Sequence, residues 1–235
     1  MASPTSPPTT SITGWPAPVK YIIGTEACER LSFYGMRSIL LVFLVQNLLT
    51  AAPEAERAAR GKEVFHLFVM AVYFFPLLGG YLADRYWGKY RTILWLSLVY
   101  CVGHGFLAVF DDSPTGFYAG LGLIALGSGG IKPCVSAFVG DQLTADQKHL
   151  MPRVFGAFYW SINLGSLVAS FLVPKLLRHY GPTVAFGFPG VLMLLATLVF
   201  YLGRRHYHEL PPSRANPHSF ARVIGTALFR PATGQ

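Results

Sequence analysis

Charge is scarce in this chain: Asp, Glu, Lys and Arg together supply 13% of the 235 residues, about half of the ~25% found in a soluble globular domain. A chain so poor in charge cannot clothe itself in a hydrated surface, which excludes an ordinary soluble domain. Acids are scarcer than bases, 11 against 19, yet the basic excess lies in short segments between apolar runs rather than on one soluble face. Topology signals and lipid headgroup contacts explain that pattern, and nucleic acid is not an expected partner. Cysteine is limited to Cys28, Cys101 and Cys134, all inside apolar runs and without CxxC spacing, so neither a disulfide framework nor a metal site is expected. HExxH, GxSxG and a nucleophile beside a plausible base are missing, and the chain is not expected to be an enzyme.

What remains is hydrophobic. Apolar residues make up 52% of the sequence and the mean hydropathy is +0.42, so the solvent for most of the chain is lipid. A helix needs about 20 residues to cross, and the runs at 18–49, 63–83, 92–110, 116–139, 154–177 and 183–203 predict an all-α membrane protein of six transmembrane helices. Residues 1–16 begin MASPTSPPTTSITG, without the basic start and cleavage site of a signal peptide, and read as a disordered cytoplasmic tail. Residues 17–205 form the expected bundle. The stretch 206–235, polar around Pro211, Pro212 and Pro217, reads as a cytoplasmic linker in which SFARVIGTALFR forms a surface helix. With the N-terminus inside, the cytoplasmic segments hold Lys20, Arg85, Lys89, Arg91, Lys148, Arg153, Arg204 and Arg205, and the outer ones Arg57, Arg60, Lys62, Lys175 and Arg178. Eight bases against five, and the acidic outer loop FDDSPTG, favour that orientation.

The charges inside the spans carry the functional argument. On the first helix Glu26, Glu29, Arg30, Phe33, Tyr34 and Arg37, at ~100° per residue, fall within an arc of roughly 140°. An unpaired charge at the bilayer centre costs at least ~3 kcal/mol, so the stripe is expected to line a wet cavity walled by protein; static inter-helix ion pairs are the alternative. Lys132 interrupts a second apolar helix, between Gly127, Ser128, Gly129, Gly130 and Pro133, where the helix should loosen and kink. A buried ammonium traded between a carboxylate and an anionic solute would act as a proton-coupled switch; a lysine snorkelling to the headgroups is the bland reading. The run GLGLIALGSGG lacks the preceding strand of a dinucleotide site and reads as close helix packing. His66 suits proton handling or a plain helix hydrogen bond. Tyr73 and Tyr159 serve a cavity or an interface belt, and Asn163 helix pairing or substrate binding. Asp84, Arg85, Lys89 and Arg91 around Gly88 can form an ion-pair latch on the cytoplasmic face.

Four segments carry a resemblance. GGYLADRYWGKYR at 79–91 resembles the loop signature of the major facilitator superfamily. EACERLSFYG at 26–35 resembles the ExxER motif of the proton-dependent oligopeptide transporter (POT/PTR) family, and GSGGIKPCVSAFVGDQ at 127–142 and FYWSINLGSL at 158–167 resemble its two signature segments. The likeness covers about residues 18–210 and corresponds to that family's N-terminal six-helix half, a pair of inverted three-helix repeats.

The resemblance implies import of di- and tripeptides driven by protons, by alternating access between two six-helix bundles, with protons as coupling ion and no cofactor. It assigns Glu26, Glu29, Arg30, Lys132 and His66 to proton coupling, with Lys132 engaging the acidic group of the first helix. Arg37, Tyr34, Tyr73, Lys132, Tyr159 and Asn163 would hold the peptide. Phe33 stands where the motif usually has tyrosine, so any hydrogen bond of that hydroxyl is lost. The C-terminal half is expected to be missing, with this chain a piece of a longer transporter of the cell inner membrane. Another small solute such as nitrate, or an inert truncated fragment, is the competing reading.

Overall fold

The computed structural model describes residues 15–212. Residues 1–14 of the expected tail, and 213–235 with the expected surface helix, lie outside the described residues. Five α-helices follow one another: α1 Ala17–Phe43, α2 Glu54–Leu82, α3 Gly88–Val109, α4 Pro114–Asp141 and α5 Met151–Leu202. Prolines mark four of the starts, with Pro16 and Pro53 as the residues before α1 and α2 and prolines in the first turns of α1, α4 and α5. There the missing N–H costs nothing, because the first turn has no partner for it. α2 begins nine residues before the span expected at 63–83. Its polar opening EAERAARGK is helical because Glu54 and Glu56 favour the positive end of the helix dipole and Glu56 pairs with Arg60 at 2.7 Å; hydropathy does not register such a turn.

The six expected transmembrane helices are not six separate helical stretches. Among the described residues four helical stretches are long and apolar enough to cross a membrane, and two of them run to 56 and 61 residues. A straight helix of 56 residues would be ~84 Å long, far beyond the ~30 Å hydrocarbon core. The chain instead breaks at Gly88 (φ 77°, ψ 161°), between α2 and α3, and at Gly181 (φ 81°, ψ −179°), inside α5. Both conformations are essentially restricted to glycine.

Contacts show that the chain reverses at both glycines. Val72 packs on Gly129, and Gly79 further along α2 packs on Gly130 and Cys134, so α2 runs parallel to α4. Gly127 of α4 meets Tyr100 of α3 while Gly120 meets Phe106 and Leu107, so α3 runs antiparallel to α4. α2 and α3 are therefore opposed. Along α1, Arg30 and Gly35 meet Gly165 and Val173 in order, whereas Gly24, Thr25 and Ser32 meet Val199, Ala196 and Pro189 in reverse order. The two halves of α5 are opposed as well. The two long stretches each supply two legs, and the bundle alternates direction through six.

Glycines set the spacing between legs. A Cβ on Gly79 would overlap the backbone of Gly130, and Gly103, Gly120 and Gly127 sit close against the facing helix, the small-residue packing that substitutes for a hydrophobic drive in lipid. The glycine-rich run before Lys132 is thus a packing surface. α4 carries Pro133 without a break in its helical dihedrals, so the expected kink does not interrupt it. Phe43, Phe117 and Phe186 fill one end of the core with ring centroids 4.9–5.2 Å apart.

Candidate functional site

Three of the four charges in the α1 stripe are enclosed. Glu26, Glu29 and Arg30 are 5%, 2% and 5% exposed, so these three do not line an open cavity within this bundle, whereas Tyr34 and Arg37 of the same stripe are half-buried. Arg30 sits one helical turn after Glu26 and directly after Glu29, and its Nε lies 2.9 Å from Glu26 Oε1 and in ion-pair contact with Glu29 Oε2. Proximity there is not matched by hydrogen-bond alignment, since Arg30 Nε and Glu29 Oε2 lack a hydrogen-bond partner. Ser128 of α4 donates to Glu29 Oε1 at 3.4 Å. The ion pairs lie within one helix rather than between helices. With both carboxylates ionised the triad has one negative charge in excess.

Lys132 is half-buried one turn beyond Ser128. Its Nζ lies 4.8 Å from the ring centroid of Phe33 and 5.3 Å from that of Tyr73, and no carboxylate of the described residues lies within ion-pair distance of it. Arg30 Cζ also faces the Phe33 ring, at 5.9 Å. Cation and ring attract through the ring quadrupole at these separations. Phe33, noted in the sequence for a missing hydroxyl, here supplies a face to two cations.

The remaining expected residues divide into two groups. Tyr34 packs edge-on to Phe33, and Arg37 lies over Phe65, 5.7 Å from its centroid, with His66 edge-on to the same ring. Tyr73 is 70% exposed and Tyr159 61%, and exposed Asn163 donates back to the Tyr159 carbonyl at 2.8 Å. The structure joins Glu26, Glu29, Arg30, Phe33, Tyr73 and Lys132 into one cluster. No hydrogen bond, ion pair or ring contact ties the side chains of His66, Tyr159 and Asn163 to it.

At the Gly88 end, Lys89 donates to Asp141 of α4 at 2.5 Å. The acid that meets Lys89 is therefore Asp141 rather than its neighbour in the loop, Asp84. Gln142 beside it clamps the chain after α5, donating to the His208 carbonyl at 3.1 Å and accepting from the His208 N–H at 2.8 Å. A cavity of about 290 Å³ between Trp87, Lys89, Arg91 and Glu209 adjoins this clamp. A second buried network escaped the sequence reading: Ser32 donates to the Pro189 carbonyl at 2.7 Å and lies 3.1 Å from His104 Nε2. His104 stacks on Tyr100. Ser32 lay within a recognised motif, but nothing in one sequence pairs it with a histidine 72 positions on.

The POT family model matches residues 90–233. The chain belongs to the POT family. This POT-family chain is 38% identical over 231 residues to solute carrier family 15 member 2 of Mus musculus, covering 90% of itself and 31% of that protein. It is 40% identical over 228 residues to peptide transporter family 1 of Drosophila melanogaster, covering 91% and 30%. Among solved structures, the POT family transporter PepTSo aligns with 94% of this chain and 44% of its own, at 57% identity and a TM-score of 0.89. A POT peptide transporter variant in complex with alafosfalin aligns with 94% and 45%, at 27% identity and a TM-score of 0.76. The chain spans roughly a third of the length of the curated relatives it matches.

Family membership fits the helical fold and the apolar spans. A multi-pass membrane protein of a transporter family carries the enclosed Glu26–Arg30–Glu29 triad at the centre of its first leg.

Proposed function

We propose that the protein is a proton-coupled symporter of di- and tripeptides, and that residues 15–212 supply one of two bundles that alternate access around the substrate. The observation that carries this is the placement of Lys132, a cation resting on aromatic faces beside a triad with one negative charge in excess. Glu26, Glu29, Arg30 and Lys132 form a four-charge group that is formally neutral, so one proton taken up by a carboxylate leaves Lys132 as a free counterion for an anion. Arg37 adds a second cation, on α1, 11 residues after Glu26. Two cations suit the carboxylate of a peptide. Tyr34, Tyr73, Tyr159 and Asn163 offer hydroxyls and an amide to its backbone, and His66 beside Phe65 serves the proton path. The peptide ammonium needs an acid from a second bundle outside this chain.

Names of the relatives support the cargo, since those proteins are called peptide transporters. The basic residues on the Gly88 side support a cytoplasmic N-terminus, in what we read as a cell inner membrane, and there Lys89–Asp141 closes a latch flanked in sequence by Asp84, Arg85 and Arg91. Protons are the only coupling agent required. The test is uptake of labelled dialanine by the complete open reading frame in proteoliposomes, with and without an inward proton gradient. Accumulation above equilibrium only with the gradient is expected; equilibration alone removes the coupling, and no uptake by folded protein transfers the reading to another cargo, with nitrate measured next.

A further inference from the structure

We infer that Phe33 is a positioning residue that keeps the Lys132 ammonium off the Glu26–Arg30–Glu29 triad and available to a substrate carboxylate. The inference deepens the peptide reading and rests on it for the identity of the substrate. Lys132 is the natural counterion of the triad's excess negative charge, and both belong to the same cluster. Yet neither carboxylate lies within ion-pair distance of Nζ. The ammonium rests instead on Phe33 at 4.8 Å and on Tyr73 at 5.3 Å, while Arg30, which occupies both carboxylates, faces the same Phe33 ring at 5.9 Å.

Phe33 is held firmly enough to do this. It is 4% exposed, with Phe68 of α2 stacked at 6.3 Å and Tyr34 edge-on at 5.5 Å. A fixed ring gives a cation an attractive seat without a formal charge, so a substrate carboxylate approaching Lys132 need not first break a buried ion pair. Tyr73, 70% exposed, is the outer side of the same bracket and leaves the ammonium open toward that face. An aliphatic residue at position 33 keeps the packing but removes the seat, and the excess charge of the triad then draws Lys132 inward.

Two measurements test this, one of them independent of transport. In the protein of the complete open reading frame, purified in nanodiscs, brief acetylation with acetic anhydride is read by mass spectrometry at Lys132 relative to exposed Lys148. Phe33→Leu is expected to lower Lys132 labelling by roughly three- to tenfold, the weight of one cation–π contact, and Phe33→Tyr to preserve it. Unchanged or faster labelling in Phe33→Leu, or an equal loss in Phe33→Tyr, overturns the inference. In the complete open reading frame, Phe33→Leu is expected to raise the KM for dialanine by a similar factor and leave that for dialaninamide, which has no carboxylate, unchanged. A rise for both overturns it. Phe33→Met replaces the leucine variant in both measurements if thermal unfolding shows that Phe33→Leu is not folded. Failure of wild-type protein to transport either compound sinks the peptide reading, while the labelling result still decides the bracket.

Discussion

At the scale of single residues, the enclosed triad makes its own stability prediction. Arg30 lies against two carboxylates that are each no more than 5% exposed. Arg30→Leu strips both of their counterion, and breaking a buried pair from one side costs roughly 3–5 kcal/mol. The purified chain should therefore unfold at a clearly lower temperature. Changing Glu26, Glu29 and Arg30 to Leu together should recover most of that loss, because well-packed apolar residues replace buried ion groups at little cost. Recovery would show that the triad is not kept for stability; a triple variant as unstable as the single one would make it a structural element. Glycines offer a sharper contrast. A Cβ on Gly79 would collide with the Gly130 backbone, while one on Gly80 meets nothing. Gly79→Ala should destabilise by about 1–3 kcal/mol, the usual cost of overpacking. Gly80→Ala should stabilise slightly, by up to about 1 kcal/mol of helix propensity. Equal effects in thermal unfolding would disprove the Gly79–Gly130 contact.

At the scale of elements, the two glycine breaks decide the architecture. Gly88 and Gly181 hold positive φ with extended ψ, a region that costs other residues about 1–3 kcal/mol. The sequence showed both reversals. Gly88 lay in a loop of charges, and the run 154–177 gave way to 183–203 across His179, Gly181 and Pro182. The start of α2 was not legible, because hydropathy reads lipid and cannot see a polar turn held by Glu56 and Arg60. Nor was the latch partner: a local reading paired bases with the nearest acid, whereas Lys89 reaches Asp141, 52 positions away. Both side chains of that pair are mostly shielded, 23% and 18% exposed. A double-mutant cycle with Lys89→Ala and Asp141→Ala should return a coupling of about 1 kcal/mol, between the surface and buried limits. A coupling indistinguishable from zero would mean that α3 and α4 are tied by their glycine contacts alone. The candidate site was legible where motif and chemistry coincide, at Glu26, Glu29, Arg30 and Lys132. The seat that Phe33 offers was not, because a sequence shows the hydroxyl that Phe33 lacks and not the cations that its ring faces.

At the scale of the whole molecule, six alternating legs make a prediction about sides. Direction alternates through α1, α2, α3, α4 and the two halves of α5, so the turns at Gly88, at 145–150 and at 203–205 share one face, and those at 49–53, 110–113 and Gly181 share the other. The first face carries Lys89, Arg91, Lys148, Arg204 and Arg205, and short basic loops stay on the cytoplasmic side. The native cysteines lie inside the helical legs, half-buried at Cys28 and Cys101 and buried at Cys134, and labelling of the protein without an added cysteine sets their background. Single cysteines at Lys62, Asp112, Lys148 and Arg205 are then exposed in intact spheroplasts to a membrane-impermeant thiol reagent, and again after lysis. Lys62→Cys and Asp112→Cys should react in both; Lys148→Cys and Arg205→Cys should react only after lysis. The reverse pattern would keep the six legs and invert the orientation, moving Lys89 and Asp141 to the outer face and ending their part in a cytoplasmic latch. Reaction of one member of a pair without the other would refute the alternation itself.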